Sequence, residues 1–334
     1  MLVLDQATVG RLLPIGACIE VMASTLTALA RGDAVLPLRT VIRVPDTSNA
    51  FAVMPAYVND LGPVIGAKVI TVYPGNLDTA FDAHQGAVLL FDPATGALAA
   101  VVDATAITTV RTAAVSAVAT RVLARGDASR LAILGAGVQG QAHLFAMCAI
   151  RPIASVCVWS RNSARAQRLA ETARRALGIG ASVAATGEDA VRNADIVCTT
   201  TSATTPVLCG DWLAPGTHVN AIGACTPNAR EIDSATVVRS RLYVDRRESA
   251  LREPGDILAP LEAGEITASH VVADLGDVLL DSGTGRRAAE EITLFKSLGL
   301  AIEDLAAASF VYAEAQRTGA GVPVALGGTR NEAH

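Results

Sequence analysis

Residues 131–143 read LAILGAGVQGQAH. Leu131–Leu134 has the length of a buried strand, Gly135, Gly137 and Gly140 follow as G-x-G-x-x-G, and a helical pattern runs from Gln139 to Ile150. In such a turn the first glycine permits the sharp change of direction. The second lets a pyrophosphate approach the backbone, and the third lets helix and strand pack closely. The helix start, at Val138 and Gln139, offers unpaired N–H groups and the positive end of its dipole to the phosphates. A glycine-rich turn with no ligand is the alternative, but the next apolar run, Ser155–Trp159, completes the strand–turn–helix–strand order that dinucleotide binding requires. The uncharged run Leu131–Ile150 is also long enough to span a bilayer, yet three glycines, Gln139, Gln141 and His143 lie within it. The dinucleotide reading accounts for them.

The end of the second strand separates the two nicotinamide dinucleotides. Proteins that take NAD place an acid there to bind the ribose 2′-hydroxyl. Here Ser160, Arg161 and Asn162 follow Trp159. A carboxylate repels a 2′-phosphate, whereas an arginine clamps it with charge-assisted hydrogen bonds. NADPH is the expected cofactor, with NADH still open; the plainer reading of Arg161 is a solvated residue before the next helix.

Outward from this core, strands alternate with helices. Ala164–Ala176 reads as helix, Ala181–Ala184 as strand, Glu188–Asn193 as helix and Ile196–Thr199 as strand, with further strands at Val219–Ile222 and Leu242–Val244. That alternation predicts a doubly wound parallel sheet of Rossmann type over residues 116–299. Residues 1–115 differ. Thr8–Arg31 reads as an amphipathic helix stopped by Gly32, bent or starting late at Pro14 and Gly16. Val35–Val44, Ala52–Tyr57, Ala67–Tyr73, Ala87–Asp92 and Ala97–Asp103 read as strands with few helices between them, so an antiparallel or mixed sheet is expected. Ala104–Arg125 is helical. From Glu291 the pattern is read as helical to Arg317, giving a C-terminal helix (300–330) that returns to the first lobe. The whole is an α/β chain: a Rossmann domain plus an α+β domain.

The chain of 334 residues carries 27 Lys+Arg against 32 Asp+Glu, for a net charge of −5. With no basic block, a nucleic-acid or anionic-lipid surface is not expected. Hydrophobic residues make up 51% and charged ones 18%, with a mean hydropathy of +0.39, so the chain is rich in core. Asp5 and the lack of a basic start argue against a secretory signal. The six cysteines show neither a CxxC nor a paired Cys/His spacing, so no zinc site or disulfide framework is expected, and reduced thiols in the cytoplasm are the default.

Three cations interrupt apolar elements of the first lobe: Arg39, Lys68 and Arg111. A buried cation needs an anion. That anion is either a substrate or an internal acid. Arg43 reads as solvent-facing. His84 is placed near a pocket or in a packed turn, His143 on the first Rossmann helix as a structural residue, and Glu231 and Asp233 at a helix start, where acids suit the dipole.

Taken together, LPLRTVIRV, VMPAYV, GAKVITVYPGN, HQGAVLLFDPATGALAAVVD, ITTVRTAAVSAVAT, ILGAGVQGQAH, WSRN, PGTHVNAIGACTPNAREID and EITLFKSLGLAIEDLAA run in order from residue 36 to about 307. In them the chain resembles the ornithine cyclodeaminase/mu-crystallin family, most closely its mu-crystallin-like branch of NAD(P)H-dependent ketimine reductases. The resemblance implies a homodimer whose N-terminal lobe carries the substrate pocket and the dimer interface. It also implies that Arg39, Lys68 and Arg111 hold a substrate carboxylate, with Lys68 or an ordered water giving a proton to an imine nitrogen. By family position, Thr112, Thr199, Thr201 and Ile222 lie toward the nicotinamide. Phosphates lie over Gly137, Val138 and Gln139, and Ser160, Arg161 and Asn162 surround a 2′-phosphate. Cys225 stands where ornithine cyclodeaminases carry an aspartate. An aspartate is ionised at pH 7 and a free thiol is mostly neutral, so the base for a diamine substrate is missing. Cys225 then lines the pocket, donates a proton or is an inert small residue. The expected reaction is reduction of a small cyclic ketimine carboxylate. Cyclodeamination, amino-acid (alanine-type) dehydrogenation and NADPH/ligand binding without turnover are the alternatives.

Overall fold

The structure, a computed structural model, describes residues 1–60 and 62–326. The chain divides into two compact units, Met1–Arg111 with the segment from Leu300 onward, and Thr112–Gly299.

The first unit opens with β1 (Leu2–Leu4), α1 (Gln6–Leu12) and α2 (Ile15–Arg31). Asp5 caps α1 by accepting the Thr8 N–H. Pro14 lacks an N–H and breaks the single helix expected from Thr8, so α1 and α2 meet at 83°. Gly32, at φ 85°, ends α2. Strands β2 (Ala34–Val35), β3 (Thr40–Arg43), β4 (Ala50–Asn59), β5 (Pro63–Val72), β6 (His84–Phe91) and β7 (Leu98–Asp103) follow, then helix α3 (Ala104–Leu123). The run expected as one strand over Val35–Val44 is interrupted at residues 36–39, where Pro37 cannot donate to a ladder. Arg39 sits in that interruption. With β16 (Val322–Pro323) from the end of the chain, the sheet order is β16-β1-β7-β6-β5-β4-β2, with β3 also on β4, and it is mixed, because β1 runs parallel to β7 while β4 to β7 are antiparallel.

The second unit supplies β8 (Arg130–Leu134), α4 (Val138–Ile150), β9 (Ser155–Trp159), α5 (Ser163–Leu177), β10 (Gly180–Val183), α6 (Gly187–Val191), β11 (Ile196–Thr199), β12 (His218–Ala221), α7 (Ser234–Val238), β13 (Ser240–Val244), α8 (Arg247–Ala250), α9 (Gly255–Glu262), β14 (Val271–Asp274), α10 (Leu275–Leu280) and β15 (Ile292–Lys296). The order β10-β9-β8-β11-β12-β15-β13-β14 is parallel throughout. The chain winds one way from β8 to β10 and the other way from β11 onward, so the β8/β11 boundary is the topological switch point where such sheets bind ligands. The run Leu131–Ile150 divides between β8 and α4, and among the described residues no single helix is long and apolar enough to cross a membrane.

β15 corrects the sequence reading, which placed helix from Glu291. ITLFK is buried at all five positions, between β12 and β13. A short apolar run buried on both faces carries no period that separates strand from helix. Helix α11 (Ala301–Thr318) begins only after Gly299, at φ 79°, and stops at Gly319, at φ 69°. It is therefore shorter than the expected 300–330 helix, and β16 (Val322–Pro323) follows it.

Candidate active site

In the first unit, Lys68 from β5 and Arg111 from α3 lie side by side in the interior, 2% and 5% exposed. The internal acids weighed as their alternative partners are there. Asp304 Oδ1 accepts from Lys68 Nζ at 2.9 Å and from Arg111 Nε at 3.0 Å. Glu303 Oε2 accepts from Arg111 Nη1 at 2.7 Å and from the Leu300 N–H at 3.1 Å, tying the cluster to the start of α11. Lys68 also donates to Thr108 Oγ1 at 2.6 Å. Both acids are fully buried.

Burial pushes the Lys68 ammonium down to about 8. Asp304 opposes that shift, while Arg111 and the half-buried Arg39 add to it. Burial alone would raise Asp304, but Arg111 and Lys68 outweigh it and hold the carboxyl below its ordinary value. His84, exposed at the start of β6, is held below its ordinary value by desolvation and by the same two cations. Arg43 is exposed on β3.

In the second unit, Gly135 turns at φ 109°, and a Cβ there would lie 2.7 Å from the Thr200 carbonyl oxygen. A Cβ on Gly140 would lie 2.1 Å from the Gly135 oxygen, so the third glycine is what lets α4 pack on the turn. Gly137 caps α4 with no side chain over the helix start, and the space beside its Cα is open. The exposed Val138 opens the helix, followed by Gln139. This cradle fits a pyrophosphate. Beyond β9, the Ser160 hydroxyl accepts the Asn162 N–H at 3.3 Å and Asn162 caps α5 through the Arg165 N–H, while Arg161 is exposed. Thr112, the first residue of this unit, has a buried hydroxyl without a hydrogen-bond partner among the described residues. His143 is structural, as expected. Its Nδ1–H donates to the Gln139 carbonyl at 2.8 Å, so Nε2 accepts from Ser116 Oγ at 2.9 Å, and desolvation lowers it to about 4.

Beyond the ends of β11 and β12, the Ile222 N–H donates to the Thr199 carbonyl at 3.1 Å, and Cys225 Sγ donates to the Ile222 carbonyl at 3.4 Å. The thiol is half-buried, against the core of the second unit. Asp233 caps α7, as an acid at a helix start should. Glu231 does not: its fully buried carboxylate binds Thr199, Thr201 and Gly223. Sequence reasoning missed the roles of Glu231, Glu303 and Asp304. The only local signal for the last two was acid in the first turn of α11, which reads equally well as dipole compensation.

A mixed sheet in one unit, and in the other a doubly wound parallel sheet with an open glycine cradle, define a two-unit protein of the dinucleotide-binding class. A profile of the ornithine cyclodeaminase/mu-crystallin family matches residues 1–319, and the chain belongs to that family. It is 41% identical to the ketimine reductase mu-crystallin of Mus musculus over 281 residues, 84% of this chain and 85% of that one. It is similar in structure to the Thermococcus litoralis Δ1-pyrroline-2-carboxylate reductase in complex with NADH and L-proline, with a TM-score of 0.94, 38% identity, and coverage of 97% of this chain and 100% of that one. An archaeal alanine dehydrogenase dimer with bound NAD matches with a TM-score of 0.91, 31% identity, and coverage of 97% and 99%.

Proposed function

We propose that this protein reduces a small cyclic ketimine carboxylate, 1-piperideine-2-carboxylate or 1-pyrroline-2-carboxylate, to L-pipecolate or L-proline, with NADPH as the preferred cofactor. The observation that carries the reading is the buried Lys68–Arg111 pair, two cations gathered on Asp304 in the interior of the first unit.

Arg39, Lys68 and Arg111 hold the carboxylate, and the acids Glu303 and Asp304 hold Lys68 and Arg111 in place before substrate arrives, so little reorganisation remains to be done on binding. With its ammonium at about 8, Lys68 is protonated at neutral pH and yields a proton more readily than a solvated lysine, as transfer to an imine nitrogen, directly or through a water, requires. The cradle at Gly135, Gly137 and Gly140 takes the pyrophosphate, Ser160, Arg161 and Asn162 take the 2′-phosphate, and Thr112, Thr199, Thr201 and Ile222 border the nicotinamide. A reduced nicotinamide bound there supplies the hydride for the imine carbon. NADPH over NADH rests on Arg161 and on the lack of an acid after β9. Cys225 supplies no carboxylate, which removes the base that cyclodeamination of ornithine would use.

A homodimer through the first unit fits the exposed apolar residues of its edge strands, Val35, Val41 and Ile42, which are 66%, 44% and 60% exposed. The test of the site is substitution: Lys68→Ala and Arg111→Ala are each expected to abolish turnover while NADPH binding, followed by nicotinamide fluorescence, is retained. Turnover that survives both changes would show the substrate to be held elsewhere.

A further inference from the structure

The carboxyl ends of β11 and β12 are tied together by one side chain. Glu231 Oε2 accepts from Thr199 Oγ1 at 2.9 Å and from the Gly223 N–H at 2.5 Å, while Oε1 accepts from Thr201 Oγ1 at 2.7 Å and from the Thr201 N–H. Thr199 ends β11, Thr201 lies two residues beyond it, and Gly223 lies two residues beyond the end of β12. Gly223 has to be glycine, since a Cβ there would lie 1.9 Å from the Thr201 oxygen and 2.7 Å from the Glu231 carboxyl. Glu231 is in turn held from behind. Asp256 on α9 accepts the Glu231 N–H at 2.8 Å and the Ile232 N–H at 3.2 Å, and pairs with the fully buried Lys296 of β15 at 3.1 Å.

An acid buried to 0% exposure is costly, and here its bonds go to the loops that follow β11 and β12, the first of them at the switch point. With the pyrophosphate on the cradle after β8 and the adenosine toward β9, the other half of a dinucleotide falls over β11 and β12. We infer that Glu231 is a positioning residue for the nicotinamide half of the cofactor, fixing the Thr199–Thr201 and Gly223–Cys225 backbones on which that half rests. The inference rests on the reading that this sheet edge binds a nicotinamide dinucleotide. It extends that reading to a residue which touches neither phosphate nor adenosine.

Glutamine is the informative replacement. It has the shape of glutamate, but Glu231 faces one backbone N–H at each oxygen. The amide oxygen can accept only one of them, and the amide nitrogen then confronts the other. The experiment measures binding of NADPH and of 2′,5′-ADP, the adenosine half alone, to wild type and to Glu231→Gln by calorimetry. Expected is a loss of at least tenfold for NADPH with 2′,5′-ADP unchanged within twofold. A purely structural role would weaken both ligands alike, and that result, or no loss in either, overturns the inference. Should the variant fail to fold, Thr199→Val removes one donor to the same carboxylate. It is read on the same two ligands, with a selective loss of at least threefold for NADPH expected and an equal loss overturning the proposal. A wild type that binds 2′,5′-ADP and NADPH equally well refutes the nicotinamide placement itself, and one that binds neither refutes the cofactor reading beneath it.

Discussion

Replacing Asp304 by asparagine removes one negative charge from the interior of the first unit and leaves nearly everything else in place. Lys68 and Arg111 both donate to its Oδ1, at 2.9 and 3.0 Å, and all four charged groups of the cluster are at most 5% exposed. Their formal charges cancel in the native protein, and the substitution leaves +1. Breaking a buried pair costs about 3–5 kcal/mol. Asparagine keeps an oxygen that accepts one hydrogen bond, so the expected loss lies near the lower end, about 3 kcal/mol. A typical domain has about 5–15 kcal/mol in total, so the variant should fold with a reduced denaturation midpoint. The second consequence is on the reaction. The Asp304 charge opposes the fall of the Lys68 ammonium, so its removal moves that group below about 8. Lys68 must be protonated to act, so kcat/KM for ketimine reduction falls as pH rises through the Lys68 value, and this alkaline limb should appear at lower pH in the variant. Both proteins are assayed with the same substrate, so its own titration cancels in the comparison. An alkaline limb that stays where it is in wild type, with unchanged urea stability, would refute the coupling between Asp304 and Lys68.

Other changes test other parts of the account. Arg161→Ala should weaken NADPH by about 1.5–3 kcal/mol, roughly ten- to 150-fold, and NADH much less, because the lost partner is a charged phosphate; equal losses by calorimetry would remove Arg161 from the 2′-phosphate. Gly140→Ala places a Cβ 2.1 Å from the Gly135 oxygen, so α4 must back away from the turn, lowering the melting temperature and NADPH affinity together; wild-type behaviour in both would contradict the cradle. Ile42→Asp on the exposed edge strand β3 should convert a dimer to a monomer in sedimentation, and an undisturbed dimer would place the interface elsewhere.

How far the residues alone reveal this depends on how local each cause is. The cradle at Gly135–Gly140 is legible because its strand, glycines and helix are contiguous and each glycine has a steric reason. The strands on either side of β8 were likewise visible as apolar runs bounded by turns. ITLFK was not, since a strand buried on both faces has no alternation to display, and the break at residues 36–39 hinged on one proline inside an otherwise strand-like run. At the site, the need of Lys68 and Arg111 for anions follows from their apolar surroundings. Their partner Asp304 lies 236 and 193 residues further along the chain, beyond any pattern of spacing. Glu231 was misread for the same reason. In sequence it precedes a short helix, and only the parallel pairing of β11 with β12 brings both loops to its carboxylate.

The most direct test of the central claim follows NADPH absorbance with 1-piperideine-2-carboxylate and 1-pyrroline-2-carboxylate, beside L-ornithine with NAD and an ammonia readout. Rapid NADPH consumption with a cyclic ketimine, and no ammonia from ornithine, is the predicted result. Ammonia and proline from ornithine without ketimine reduction would mean that Cys225 does not exclude cyclodeamination, and would contradict the account.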